Sequence, residues 1–377
     1  VWSGGSAGRH PGLDIWRTLY DRIPEASPFV SPSWVESWLA VFGERLLPTQ
    51  LVLHAPGNEP VATCLLTPST RRLIGIDRPR LHLNTDGEPG HESAIIEHNH
   101  VLALPGWEDA AAEAVTAWVM ACRTQEFVAA GVNEETLGRF EAAMPGWAAD
   151  VEWRDAPFVD LDRLRTQSHS HLDVVSANTR AQLRRGLRAY GALGVLEVEV
   201  ARDTARALQL FQELEQLHSA RWRGRGQAGA FASPRRRAFL LRLLACGVPD
   251  GRVLILRATA GNRTIGILYC LQANRKVAFY QSGFVYGDDR RHHPGLVTHH
   301  LVIEHLRRSG YAEYDLLVSG VGEGRYKRSL ATDVRRLAWV AYARPSIQSF
   351  CLNAMRRVRA RVRGSMSRRD GPVPKRA

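Results

Sequence analysis

Residues 252–319 carry the order of elements that most restricts the fold. Three apolar runs, Arg252–Thr259, Thr264–Ala273 and Lys276–Tyr286, follow one another across the turns Ala260-Gly261-Asn262 and Asn274-Arg275. Turns that short make hairpins, so the three strands are antiparallel neighbours. A loop (Gly287–Pro294), a helix (Gly295–Arg308) and a strand (Glu313–Ser319) come next. A strand reached through a helix needs a parallel neighbour. The sheet therefore holds a parallel pair beside a meander, and a cleft opens where their ends diverge. The loop opens the helix, so first-turn amides form an anion site there.

The flanking sequence extends this α/β pattern. Asn178–Leu193 reads as a basic helix ended at Gly194, Val195–Val200 as a half-buried strand, and Thr204–Arg221 and Arg235–Cys246 as helices. Leu337–Ala343 is expected to close the set beside Glu313–Ser319. Upstream, Ser31-Pro32 caps a helix over Trp34–Phe42. Strands are expected at Gln50–His54, Val61–Leu66, Arg80–Leu83 and Gln125–Ala130, with a helix at Trp107–Cys122 and an extended stretch at Val151–Leu161.

Charge divides the chain. Its 377 residues carry +12 overall, but residues 1–160 carry −11, residues 161–345 carry +15 and residues 346–377 carry +8. The expected organisation is an acidic domain (1–160), a basic domain (161–345) and a basic tail. Ile347, Cys351, Met355, Val358 and Val362 align on one face of a tail helix whose other positions are rich in Arg. Such a helix suits an anionic membrane surface. No apolar run reaches the length of a membrane span. Five dispersed cysteines fit a reducing, cytoplasmic setting, at the inner face of the membrane if the tail binds there. His300 and Glu304 are one helical turn apart with no third ligand, so no metal is expected.

These elements resemble the GNAT acyltransferase fold. The stretches Ser27–Gly43, Ile96–Leu102, Ala181–Gly194, His218–Phe231, Tyr280–Phe284, His293–His299 and Tyr314–Leu330 are similar to the CelD/BcsL (BioF2-like) type. That type is linked to exopolysaccharide biosynthesis and related to the Fem peptidyltransferases. The resemblance implies tandem GNAT-like domains, each a mixed twisted sheet flanked by helices. It implies acyl-CoA, acetyl-CoA first, as co-substrate, with Arg290, Arg291, His292, Gly295 and Leu296 at its pyrophosphate. It places Tyr326 as the acid for the departing thiolate, Glu97 or His293 as base, and Lys327 and Asp315 beside them.

Asp86, Asn99, Tyr280, Gln281, Arg221 and Trp222 would meet a small-molecule or saccharide acceptor. The residues leave alternatives. Glu97 and Asn99, two apart in an alternating run, face either water or the cleft. Asp315 either marks the strand terminus or points inward. Arg221-Trp222 is either a ligand contact or a basic loop with a buried Trp. The loop before Gly295 keeps one glycine, which leaves aminoacyl-tRNA as the alternative donor. A non-catalytic envelope scaffold is the third reading.

Overall fold

A computed structural model describes residues 2–3, 12–73, 75–84, 88, 92–287, 292–319 and 324–345. The first 160 residues give β1 (Trp2–Ser3), α1 (Gly12–Asp21), α2 (Pro32–Trp38), α3 (Glu44–Leu46), β2 (Thr49–His54), β3 (Pro60–Leu73), β4 (Ile76–Leu83), β5 (Leu102–Ala103), α4 (Glu108–Ala121), β6 (Glu126–Val132), α5 (Glu134–Ala143) and β7 (Ala148–Asp160). The remainder gives α6 (Leu161–Thr166), α7 (His171–Val174), α8 (Ala177–Gly191), β8 (Leu196–Val200), α9 (Thr204–Arg223), α10 (Pro234–Gly247), β9 (Val253–Ala260), β10 (Arg263–Ala273), β11 (Lys276–Phe284), α11 (Pro294–Arg308), β12 (Glu313–Asp315), α12 (Gly324–Leu330) and β13 (Asp333–Ala343).

One mixed sheet runs through the molecule in the order β1-β2-β3-β4-β6-β13-β7-β12-β11-β10-β9-β8, with β5 on β3. The same succession occurs twice along the chain. A three-strand meander is followed by a helix, a parallel strand, a short helix and a last strand. The two last strands are exchanged. β7 pairs with β12, β13 pairs with β6, and the two pair with each other along β13's full length. Leu337–Ala343 therefore lies beside Ala148–Asp160 and Glu126–Val132, not beside Glu313–Ser319 as expected. That expected strand stops at Asp315, because Leu317 adopts a left-handed φ of 57° and the Asp315 side chain accepts from the Leu317 amide at 2.7 Å.

Side chains on one sheet face form a single core shared by both halves. Trp34 from α2 meets Phe239 from α10 edge to face at 4.9 Å, and Phe29 at 5.0 Å. Each such pair adds about 0.5–1.5 kcal/mol beyond its burial. The Ser31 hydroxyl accepts from the Trp34 amide and Pro32 opens the helix, which fixes where this aromatic face begins. On the opposite face each half has its own core, Phe127 with Val115 of α4 and Phe140 of α5, and Leu268 with Ile303 of α11. Ion pairs also join the halves: Glu92 with Arg235, Asp21 with Arg252, Glu25 with Lys276 and Asp155 with Arg328. Each involves partly exposed groups and adds about 0–1 kcal/mol. Their sign pattern accounts for part of the charge split.

Candidate active site

β11 and β12 pair only over Lys276–Ala278 with Glu313–Asp315. Two local features end the pairing. Tyr280 is the extra residue of a bulge, since Tyr269 faces Gln281 while Cys270 faces Phe279. The left-handed Leu317 turns the other strand away. Between them lies a cleft of about 910 Å³, bounded by β11, residues 317–318, the start of α11, and the α9–α10 connection.

The start of α11 forms one wall. His293 is its N-cap, in the left-handed region at φ 43°, and supplies no side-chain cap. Pro294 follows, so the Gly295 and Leu296 amides are first-turn donors without helical acceptors, and both residues line the cleft. α12 lays the Tyr326 hydroxyl against Gly295, where an added Cβ would stand 2.5 Å from that oxygen. His293 also lines the cleft. Burial and then Arg185 hold its pKa below the usual histidine value. His292 instead tilts over the Tyr190 ring at 4.7 Å. Arg290 and Arg291 lie outside the described residues, as do Asp86 and the tail 346–377.

Glu97 comes from the other half. The parallel pair β4–β6 opens like β11–β12, but residues 94–101 fill that opening. Asn99 fastens them there. Its amide donates to Gly131 O at 2.9 Å, its side-chain nitrogen donates to Leu83 O, and its side-chain oxygen accepts from Asn84. Asn99 is fully buried in this role and does not line the cleft. The expected alternation fails because His98, at φ 49°, breaks the extended run. α4 begins with Glu108 and Asp109, which oppose an anion at its N-terminus.

Gly131 lets the segment pass. At φ +68° its added Cβ would lie 2.6 Å from Ile96 O and 2.9 Å from Glu97 Cα. Gly131→Ala should therefore destabilise the protein by about 1–3 kcal/mol, read as a lower urea midpoint.

The Glu97 carboxylate accepts from the Val318 amide at 2.8 Å. Burial pushes its pKa up to about 7, and Asp315 adds to the rise, against the Val318 N–H, His98 and Lys327. Lys327 is buried and donates to Val318 O at 2.9 Å and Leu317 O at 3.4 Å, above the Phe279 ring. It clamps the 317–318 turn that presents the amide to Glu97. Asp315 does not reach the cleft. It bonds His98 at 2.8 Å and borders a small recess with Glu313 and Arg335.

Tyr280, Gln281, Arg221 and Trp222 line the remaining wall. The Tyr280 hydroxyl donates to Ile95 O at 3.3 Å, tying β11 to the Glu97 segment. Arg221 stacks on Tyr286 at 4.0 Å, and Gly229, at φ +72°, leaves room for the Trp222 ring. Two histidines outside the residues that the sequence marks for the site, His218 and His299, complete the cleft. The Ala230 amide donates to His218 Nε2, so Nδ1 carries the proton and donates to Ser282 O. His299 joins the Tyr314 hydroxyl through Nδ1 at 2.8 Å, and burial, then Lys327 and His171, lower its pKa to about 3. Its place on the apolar stripe of α11 was the available signal. His300 and Glu304 hold α7, through His171 Nδ1 and the His171 amide. Among the described residues no group of three or more such side chains is placed to hold a metal.

Residues 177–328 match the family model described as an acetyltransferase (GNAT) domain. A search of the curated proteins finds no sequence match. Solved structures share the fold. FemX superposes with a TM-score of 0.56 at 10% identity, covering 87% of this chain and 96% of that chain. The C-terminal domain of a candidate lysylphosphatidylglycerol synthetase from Agrobacterium fabrum gives 0.53 at 11%, covering 90% and 95%. L-PGS from Bacillus licheniformis gives 0.54 at 9%, covering 93% and 98%. The chain thus has a GNAT-type acyltransferase fold. Among the described residues no helix is long and apolar enough to cross a membrane.

Proposed function

We propose that the protein transfers an acyl group from acyl-CoA to an amine or hydroxyl, on a sugar or polysaccharide precursor of the kind the CelD/BcsL resemblance suggests. One observation carries this reading. A buried carboxylate with a pKa near 7 faces the same cleft as an uncapped helix N-terminus. The Gly295 and Leu296 amides would hold the donor's pyrophosphate, with the thioester in the gap between β11 and β12. The acceptor attacks the thioester carbon directly. Glu97 removes the acceptor's proton, the carbon–sulfur bond breaks, and Tyr326 protonates the leaving thiolate. Residues 1–160 then act as the acceptor half and 161–345 as the donor half, in the cytoplasm. The basic tail would meet an anionic membrane surface.

Calorimetry with acetyl-CoA and longer acyl-CoAs tests the donor. We expect heat with a dissociation constant of roughly 1 μM to 1 mM. Gly295→Ala, which displaces the Tyr326 hydroxyl and covers the amide, should weaken binding by about tenfold, a loss of about 1.4 kcal/mol. No heat with any acyl-CoA would overturn the proposal. Binding of aminoacyl-tRNA in its place would move the donor to tRNA, with exposed Arg184, Arg185 and Arg188 of α8 as its contacts.

A further inference from the structure

We propose that His98 acts on the reaction through Glu97, as a positioning residue held in its cationic form by Asp315 across the seam between the halves. This rests on Glu97 being the base. The geometry is a closed set of bonds. His98 Nε2 meets Asp315 Oδ2 at 2.8 Å, and Asp315 Oδ1 accepts from the Leu317 amide at 2.7 Å. The next amide, Val318, donates to Glu97 at 2.8 Å, and Lys327 takes the carbonyls of both residues. One short turn of the second half is thus gripped by consecutive side chains of the first, Glu97 directly and His98 through Asp315.

The charges follow the same arrangement. Glu97 is faced by Asp315, His98 and Lys327, with Tyr280 nearby. His98 is faced by Asp315, Arg335, Glu97 and His100, and its recess also holds Glu25, Lys276 and Glu313. Burial works against a charge on His98, but the Asp315 carboxylate beside it outweighs burial and raises its pKa. Burial likewise works against the charge on Asp315, and His98, with Arg335 and the Leu317 amide, outweighs it and lowers the pKa. Each member of the pair thus favours the charged form of the other, an imidazolium and a carboxylate. Glu97 sees a nearly neutral couple with the positive member adjacent in sequence. Removing His98 alone would take away a cation that favours the Glu97 carboxylate and leave Asp315 beside Glu97 with Arg335 and the Leu317 amide to favour its charge. Glu97 would then resist ionisation.

Carbon-13 titration of the Glu97 carboxyl, assigned with Glu97→Gln, tests this without any substrate. We expect a wild-type midpoint near 7. His98→Gln should raise the midpoint by about one unit, and adding Asp315→Asn should return it close to the wild-type value. A merely structural role predicts no such rescue. An unmoved midpoint in His98→Gln, or a shift that the double variant keeps, would overturn the inference. If His98→Gln does not fold, nitrogen-15 titration of wild-type His98 decides. An imidazolium persisting through pH 7 supports the inference, and a ring already neutral at pH 6 overturns it. Failure to bind any acyl-CoA would sink the proposed reaction but leave these midpoints unchanged. The two failures are therefore distinguishable.

Discussion

Glu97→Gln should lower kcat by roughly 10²- to 10⁴-fold, the usual contribution of a positioned general base. Gln keeps an oxygen to accept from Val318, so the turn and the cleft should persist. The pH dependence identifies the cause. A base must be ionised to act, so wild-type kcat/KM should rise with pH through an apparent pKa near 7, and that limb should vanish in the variant. Stability should respond in the opposite sense. The folded pKa of Glu97 stands above the ordinary glutamate value of 4.5, at about 7. Its contribution to stability is therefore full below pH 4.5 and is lost as pH rises through 7. Gln cannot ionise, so Glu97→Gln should flatten that decline. An inactive variant that melted earlier than wild type at pH 8 would point to misfolding. A variant with unchanged kcat would remove Glu97 from the mechanism.

Ending the chain at Leu330 should unfold both halves. β13 fills the middle of the sheet, and its Leu337, Ala338, Val340 and Tyr342 side chains are buried. Burial of each larger apolar side chain contributes about 1.5–3 kcal/mol, against a total stability of about 5–15 kcal/mol for a typical protein. Losing the strand also bares the edges of β6 and β7. We expect no cooperative urea transition and no near-ultraviolet dichroism from the truncated chain, whereas a chain ending at Pro345 should keep both. A cooperative transition in the shorter chain, with β2–β4 amides still protected, would show that the first half stands without its exchanged strand.

Much of the fold was legible because its signals are local. The Asn274-Arg275 turn, the strand runs around it and the apolar stripe of Thr204–Arg223 each depend on neighbours within a few residues. The exchange of β7 and β13 was not legible. Alternation in Leu337–Ala343 tells which side chains are buried, but not which strand, some 180 residues away, lies alongside. The site divides in the same manner. Gly295 was legible as the start of the helix after β11, whereas Tyr326 came from the resemblance alone. Asn99 was misplaced because one left-handed residue, His98, reverses the face of everything after it. Asp315 was left open between two readings, and a bond to a side chain 217 positions away decided it. Lys327 is one of only three lysines among 50 Lys and Arg, a choice that marks it in the sequence, yet its bonds to the Leu317 and Val318 carbonyls are visible only in the fold.

Two copies of one topology would ordinarily offer two equivalent binding openings. Here residues 94–101 occupy the first opening, and its helix starts with carboxylates. On the proposed function one opening is left for a donor, and a donor titration should saturate at a single equivalent per chain. The lost valency has a structural use. The filling segment carries Glu97, whose carboxyl reaches across to the Val318 amide, so Gly131, which lets the Glu97 backbone pass within van der Waals reach, sets how far that side chain extends into the second half's cleft.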